Sequence, residues 1–452
     1  MTTGFLQSIP ASAFWLVNAT VPQTLLAAPA SPASRAAIDR DGLVSLDLRI
    51  VDGRIAEITP AGAVTTGDIP VVDLDDGMLL PCFVDLHTHL DKGHIWPRRR
   101  NADGTFPSAL ENVGIDRAAK WSAEDVRRRM DFALRSAYTH GTRAIRTHLD
   151  SLAPQHRISW PVFEAMRERW AGRIDLQAVA LFGVNFATDP DFLADITRLV
   201  AKAGGVLGSV TYMVPELDPG LDALFRAAAD HGLDLDFHVD ETEDPTARSL
   251  AHIAEAALRH KFGGRVTVGH CCSLARQAEA EADRTLDLVA KAGIAVVSLP
   301  MCNMYLQDRH AGRTPRWRGI TLLHEMAARG IAVAVASDNT RDPFYAYGDL
   351  DCLEVFREAV RIAHLDHPFG DWPRTVTSTP ADIMRRSDLG RLAVGGGADL
   401  VLFRARAWSE LLSRPQSDRS VIRAGRLIDR QLPDYRELDD IVGSPAPAHV
   451  KD

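Results

Sequence analysis

Apolar and polar positions alternate through Leu43-Val44-Ser45-Leu46-Asp47-Leu48-Arg49-Ile50-Val51, and the style returns in Arg54-Ile55-Ala56-Glu57-Ile58 after Asp52-Gly53. A two-residue period reads as a half-buried strand, and Asp-Gly between two such runs is a strong hairpin signal. Phe14 to Thr20 adds a further strand-like run, and Ala398–Phe403 and Val421–Ile428 repeat the style near the other end. The Ala/Pro/Ser-rich stretch Ala27–Ala37 reads as a loop. Between these flanks the pattern changes. Apolar strand-like runs alternate with amphipathic helical ones, such as Ala123–Tyr138, Pro190–Ala203, Leu221–His231, Thr246–Lys261 and Thr285–Ala292. That alternation predicts a parallel sheet.

The run Ile331–Ser337 narrows the prediction. Ala332, Ala334 and Ala336 share a face with Asp338, while Ile331, Val333 and Val335 point the other way. Small residues inside and branched ones outside suit a closed barrel wrapped in helices. The expected fold is α/β: a (β/α)8 TIM barrel over residues 78–387, with a small β-sandwich assembled from segments 1–77 and 388–452.

Composition limits the partners. The chain has 452 residues, 46% of them hydrophobic and 25% charged, which is ordinary for a soluble globular protein and long enough for a barrel plus a small module. A formal charge of −9 gives no basic footprint for nucleic acid or an anionic membrane, so a small-molecule partner is expected. Cys82, Cys271, Cys272, Cys302 and Cys352 are odd in number and form no C-x-x-C pair. Neither a disulfide framework nor a zinc knuckle is indicated, and a reducing cytoplasm fits. The apolar stretch Phe14–Val17 has no Lys or Arg before it and is interrupted by Pro22, unlike a signal peptide. No run of about 18 apolar residues predicts a membrane span. Asn18-Ala19-Thr20 matches a glycosylation sequon by chance in this context.

The candidate chemistry lies at the ends of the strand-like runs. His87-Thr88-His89 closes Met78–Leu86, and in a regular strand Phe83, Asp85, His87 and His89 share one face. His238 follows Leu233–Phe237, His270 follows Arg265–Gly269, and Asp338 follows Ile331–Ser337. Functional groups of an α/β barrel gather at C-terminal strand ends, so these residues together read as a metal site. Imidazole and carboxylate suit Zn2+ or Fe2+, and an open coordination position lets the ion lower the pKa of water from ~15.7 toward ~7. Glu241, three residues past His238, is the natural proton shuttle, provided the chain turns out of the strand there. Asp85 is expected to support the first two histidines. His148, closing Ala144–Thr147, reads as a substrate contact, a support for a ligand, or a hydrogen-bonded strand-end histidine. Cys271 and Cys272 read as thiols packed behind His270 rather than ligands. His94, His140, His260, His310, His364 and His367 fall in helical or loop contexts and carry no assigned role.

These motifs, with Arg146-Thr147-His148-Leu149-Asp150, Leu306-Gln307-Asp308-Arg309, Arg318-Gly319-Ile320 and Ser337-Asp338-Asn339 followed by Asp342-Pro343, span nearly the whole chain. They resemble the amidohydrolase superfamily, and more closely its cytosine deaminase branch. The resemblance implies one divalent transition metal ion held by His87, His89, His238 and Asp338, with His270 orienting the attacking water. It also implies that Glu241 protonates a ring nitrogen, that hydroxide attacks the amine-bearing carbon, and that Asp338 helps pass the proton that lets ammonia leave. Binuclear relatives use a carboxylated lysine on the fourth strand; Gly205–Thr211 holds none, and Lys202 precedes it on a helical run.

The departures from that branch concern substrate. Ala180–Asn185 lacks the glutamine that reads a pyrimidine edge, Asn339 stands where the branch has a second Asp, Phe344 where it has Trp, and Phe106 where it has Leu. His148, Gln307, Asn339, Phe106 and Phe344 are the candidate substrate contacts. The expected function is hydrolytic deamination of an aminated nitrogen heterocycle such as a pyrimidine, pterin or triazine. Removal of an alkylamine from a triazine-like ring, or cyclic amide hydrolysis, is the alternative, and a non-catalytic metal-binding barrel is a third. The intact Glu241 and His270 argue against the last. A homo-oligomer is compatible with all three.

Overall fold

A computed structural model describes residues 4–10, 12–27, 38–63 and 67–443, so nearly all of the expected Ala27–Ala37 loop lies outside the described residues. The strands, in chain order, are β1 (Ala13–Pro22), β2 (Leu43–Val51), β3 (Arg54–Pro60), β4 (Val71–Asp73), β5 (Leu79–Pro81), β6 (Phe83–Thr88), β7 (Thr142–Asp150), β8 (Asp175–Leu181), β9 (Leu207–Val210), β10 (Leu235–Val239), β11 (Val266–His270), β12 (Ala295–Ser298), β13 (Val333–Val335), β14 (Leu400–Leu402), β15 (Ser420–Arg423) and β16 (Arg426–Leu427).

β2 and β3 form the antiparallel hairpin, with Asp52 and Gly53 at φ 48° and 77°, the left-handed values that a tight Asp-Gly turn requires. They belong to a sheet of order β3-β2-β1-β4, while a second sheet has the order β16-β15-β14-β5. Leu16, Leu48 and Ile50 of the first share one hydrophobic cluster with Leu79, Leu400 and Ile422 of the second. β5 lies just past residue 77, yet it pairs with β14 and so joins the C-terminal strands.

The remaining eight strands are parallel, in the orders β6-β7-β8 and β13-β12-β11-β10-β9. Isolated parallel bridges link Thr88 to Asp338 and Val179 to Val206 between the two sets. Helices cover the connections, including Ala123–His140, His156–Trp170, Pro190–Ala203, Leu217–His231, Ser249–Arg259 and Glu279–Ala292. Val84, Leu86, Ala144, Val297, Ala334 and Ala336 form a cluster of their own, whereas Phe83, Ile145, Val333 and Val335 pack into the large core shared with the helices. Each fully buried valine or leucine contributes about 1.5–3 kcal/mol relative to exposure. Among the described residues, no helix is long and apolar enough to cross a membrane.

β6 departs from the regular strand expected. Asp85 pairs with Ile145 and Thr88 with Thr147, so three steps of β6 oppose two of β7. This bulge reverses the alternation. Val84 and Leu86 face the small-residue cluster before it, and His87 and His89 face the site after it, so Phe83 and Asp85 do not share the histidines' face.

Candidate active site

Four donors converge at the strand ends. His238 Nε2 lies 3.1 Å from His87 Nε2 and 3.3 Å from His89 Nε2, while Asp338 Oδ1 lies 3.5 and 3.2 Å from the same two atoms. Ligands about 2.1 Å from a shared tetrahedral zinc lie about 3.4 Å apart, so this spacing fits a metal ion. Both Asp338 oxygens are buried without a hydrogen-bond partner among the described residues. An unpaired buried carboxylate is costly, and a cation among the donors would offset that cost. Burial, reinforced by neighbouring imidazoles and by Lys92 near His89, holds His87, His89 and His238 well below the ordinary histidine value, which keeps them in the neutral form that ligates. Burial likewise pushes the Asp338 carboxyl up to about 7.

Backbone geometry brings these groups together. The Asp338 N–H donates to the His87 carbonyl at 2.8 Å, tying the end of β6 to the residues after β13. Gly269 lets β11 approach His87, because a Cβ there would sit 3.0 Å from His87 Cε1. Asp85 does not contact the imidazoles as expected. Its Oδ1 accepts from the Ser337 N–H at 3.1 Å, which ties it to the backbone leading to Asp338, and the carboxylate is also held by the His87 backbone.

Glu241 reaches the site through a turn. β10 ends at Val239, and Asp240 adopts φ 48° in the left-handed region. The Asp240 carboxylate accepts from Ser249 N (3.0 Å), Ser249 Oγ (2.6 Å) and Leu250 N (3.0 Å), capping the helix Ser249–Arg259 from a distance. Glu241 Oε1 then lies 3.3 Å from His270 Nδ1. Burial, and after it the Asp338 charge, raise the Glu241 carboxyl well above its ordinary value. Asn303 Nδ2 stands between the two, 3.1 Å from Glu241 Oε1 and 3.0 Å from His270 Nδ1.

These groups open onto a cavity of about 260 Å3 lined by His89, Glu241 and His270 together with Phe106, Asn339 and Phe344. Asn101 Nδ2 donates to the carbonyls of Thr105 and Pro343, which draws the start of the helix Phe106–Lys120 against the Phe344 segment. The Phe106 and Phe344 rings meet edge to face at 5.4 Å. Asn339 Nδ2 donates to Asp342 Oδ2 at 2.7 Å. Gln307 lines an adjoining cavity of about 420 Å3 that shares Phe106, Tyr212, His238 and Glu241, and its amide donates to the Glu241 carbonyl at 3.3 Å. His148 lines neither cavity. It is fully buried, its ring 3.9 Å from that of His87 and its Nε2 3.4 Å from Asp236 Oδ1, beside the buried pair of Arg146 and Asp236.

Several lining residues escaped the sequence reading. Lys92, which pairs with Asp150 at 3.2 Å, Arg117, and Tyr212 all face the cavity. Asn303 and Lys92 sat within reach of recognised motifs, one turn before Gln307 and three residues past His89.

The chain matches the amidohydrolase family over residues 191–429. It is 61% identical over 444 residues to a pterin deaminase of Rhizobium rhizogenes, covering 98% of this chain and 100% of the relative. It is 25% identical over 393 residues to an N-isopropylammelide isopropyl amidohydrolase of Pseudomonas sp., covering 84% and 93%. The crystal structure of a 5-methylcytosine deaminase from Klebsiella pneumoniae liganded with 5-fluorocytosine superposes with a TM-score of 0.79 at 26% identity, covering 93% of this chain and 98% of that one. The protein belongs to the amidohydrolase family, whose chemistry is metal-dependent hydrolysis, and it carries a His-rich site for that metal.

Proposed function

We propose that this enzyme hydrolytically deaminates a pterin-type heterocycle, replacing the exocyclic amine of a flat bicyclic ring with oxygen and releasing ammonia. The observation that carries the deaminase reading is the placement of Glu241 and His270 on one cavity with His89 and His238, whose imidazoles converge with His87 and Asp338 just behind its wall. The bicyclic ring is favoured by the 61% identical pterin deaminase and by the aromatic walls from Phe106, Phe182, Tyr212 and Phe344, which suit a flat ring.

When bound, a single Zn2+ or Fe2+ at the four donors supplies a Lewis acid and ionises water near neutral pH. The chain's own groups do the rest. Glu241, kept protonated by burial, delivers its proton to the ring nitrogen beside the amine-bearing carbon. His270 holds the attacking oxygen by a hydrogen bond. Asp338 then accepts the proton of that oxygen and returns it to the departing amine. One C–N bond breaks and one C–O bond forms, and the proton lost when water ionises restores Glu241, so one water is consumed and one ammonia leaves. Phe106 and Phe344 hold the ring, and Asn339 and Gln307 read its polar edge. His148, beneath His87, supports a ligand rather than touching substrate in this reading.

The architecture belongs to the same proposal. The eight parallel strands form a closed barrel, with the bridges at Thr88–Asp338 and Val179–Val206 as its seams, and the two antiparallel sheets form a β-sandwich from both chain ends. A cytoplasmic setting fits five free, buried cysteines.

Ammonia release from pterin, cytosine, N-isopropylammelide and a cyclic amide by metal-loaded enzyme tests the reading. Pterin should give stoichiometric ammonia with the highest kcat/KM, and Glu241→Gln should lower kcat by about 10²–10⁴. Ring opening without ammonia, or isopropylamine released in preference to ammonia, would refute it.

A further inference from the structure

We infer that Asn303 is a positioning residue that fixes which ring nitrogen of His270 carries the proton. The inference rests on the roles proposed above for Glu241 and His270, and it adds the group that sets both of them up. Asn303 is fully buried on the short helix Pro300–Leu306, and its Nδ2 is within hydrogen-bond distance of Glu241 Oε1 (3.1 Å) and His270 Nδ1 (3.0 Å).

A primary amide nitrogen carries two hydrogens and no acceptor. If one hydrogen goes to Glu241 Oε1, the other goes to His270 Nδ1, which must then be the unprotonated nitrogen. The single imidazole proton therefore sits on Nε2. That atom is buried and has no hydrogen-bond partner among the described residues, while the His270 side chain lines the cavity. His270 thus presents an N–H to an oxygen arriving in the cavity. Without Asn303, Glu241 Oε1 lies 3.3 Å from His270 Nδ1 and becomes the nearest acceptor for a proton there, which would leave Nε2 as an acceptor.

The opposite orientation of the amide would bond Glu241 only in its acid form. It would set Asn303 Oδ1 against Glu241 Oε1, an arrangement that is bonded only while the carboxyl holds its proton. With Nδ2 in that place, Glu241 Oε1 accepts before and after the proton is delivered. The amide therefore holds Glu241 and His270 in one geometry through the proton transfer. Such outer contacts set both the tautomer and the orientation of a histidine.

The test is nitrogen-15 NMR of histidine-labelled, zinc-loaded enzyme, with the His270 signals assigned by their loss in His270→Asn. The proton should reside on Nε2 in the wild type and move to Nδ1 in Asn303→Asp, whose carboxylate accepts where the amide donates. In the same variant kcat for ammonia release should fall on the order of 100-fold with KM within about threefold, because substrate contacts are untouched. A wild-type proton on Nδ1, or an Asn303→Asp enzyme with kcat within threefold of wild type, overturns the inference. If Asn303→Asp does not fold, the wild-type spectrum decides alone. Failure of the deaminase reading shows separately, as a Glu241→Gln enzyme that still releases ammonia at the wild-type rate, and leaves the tautomer measurement intact.

Discussion

Replacing Asp240 removes the clamp that carries Glu241 from the end of a strand into the cavity. Its carboxylate is the buried acceptor for Ser249 N, Ser249 Oγ and Leu250 N, and its backbone is held at φ 48°. In Asp240→Ala the two N–H groups lose their acceptor, at roughly 1–3 kcal/mol for each unsatisfied buried donor. The Ser249 hydroxyl keeps Thr211 Oγ1 at 2.7 Å and adds little to the loss. Alanine keeps the Cβ strain of the left-handed region that Asp240 already bears, ~1–2 kcal/mol, which glycine does not incur. The expected destabilisation is therefore about 2–6 kcal/mol for Asp240→Ala, with Asp240→Gly about 1–2 kcal/mol milder. The released turn also frees Glu241 from its place beside His270, and a displacement of about 1 Å at a reacting group costs on the order of 100-fold in rate. Urea denaturation gives the stability and ammonia release gives kcat. An alanine variant that loses less than about 1 kcal/mol, the low end of a single unsatisfied donor, and keeps kcat within twofold would show that Asp240 is no clamp.

Three further outcomes follow from individual contacts. Burial alone would raise the Asp351 carboxyl, but Arg419, at 2.7 and 2.6 Å, and His140 hold it well below the usual carboxylate value. Its ionised form therefore contributes stability that is complete above about pH 4 and is lost as the pH falls further, so Asp351→Asn should flatten the acid limb of a Tm-against-pH curve. Gly269→Ala places a Cβ 3.0 Å from His87 Cε1, which should shift that ligand and weaken metal affinity on the order of tenfold in a chelator competition, with helix content unchanged. Arg146→Met leaves Asp236 buried without its 2.8 Å partner and should cost about 3–5 kcal/mol by denaturant titration, whereas a loss under 1 kcal/mol would show the pair to be dispensable.

The convergence of His87, His89, His238 and Asp338 was legible in the sequence because each closes a strand-like run, and strand ends are where such a fold exposes side chains. Helix positions were legible from their apolar period, although the helix Leu217–His231 starts one turn before the run that announced it and the helix Ser249–Arg259 is shorter at both ends. The bulge in β6 was not legible. Alternation carries no mark of an extra residue, and so Asp85 was paired with the wrong neighbours. The entry of Glu241 into the site carried a condition, that the chain turn out of the strand, and the left-handed Asp240 meets it. Asn303 and Arg117 were silent for a different reason. An asparagine in a short helix and an arginine on an amphipathic one look ordinary until the chain brings them within bonding distance of groups 62 and 33 residues away.

Hydrolysis should depend on one divalent ion held by His87, His89, His238 and Asp338. Metal content of the purified enzyme, measured by plasma mass spectrometry alongside ammonia release, tests it most directly. The purified enzyme should carry close to one zinc or iron per chain, with activity that falls with chelation and returns with added metal, and His238→Ala should lose both ion and activity. Active enzyme free of bound transition metal, or a His238→Ala variant that keeps its ion and its rate, would contradict it.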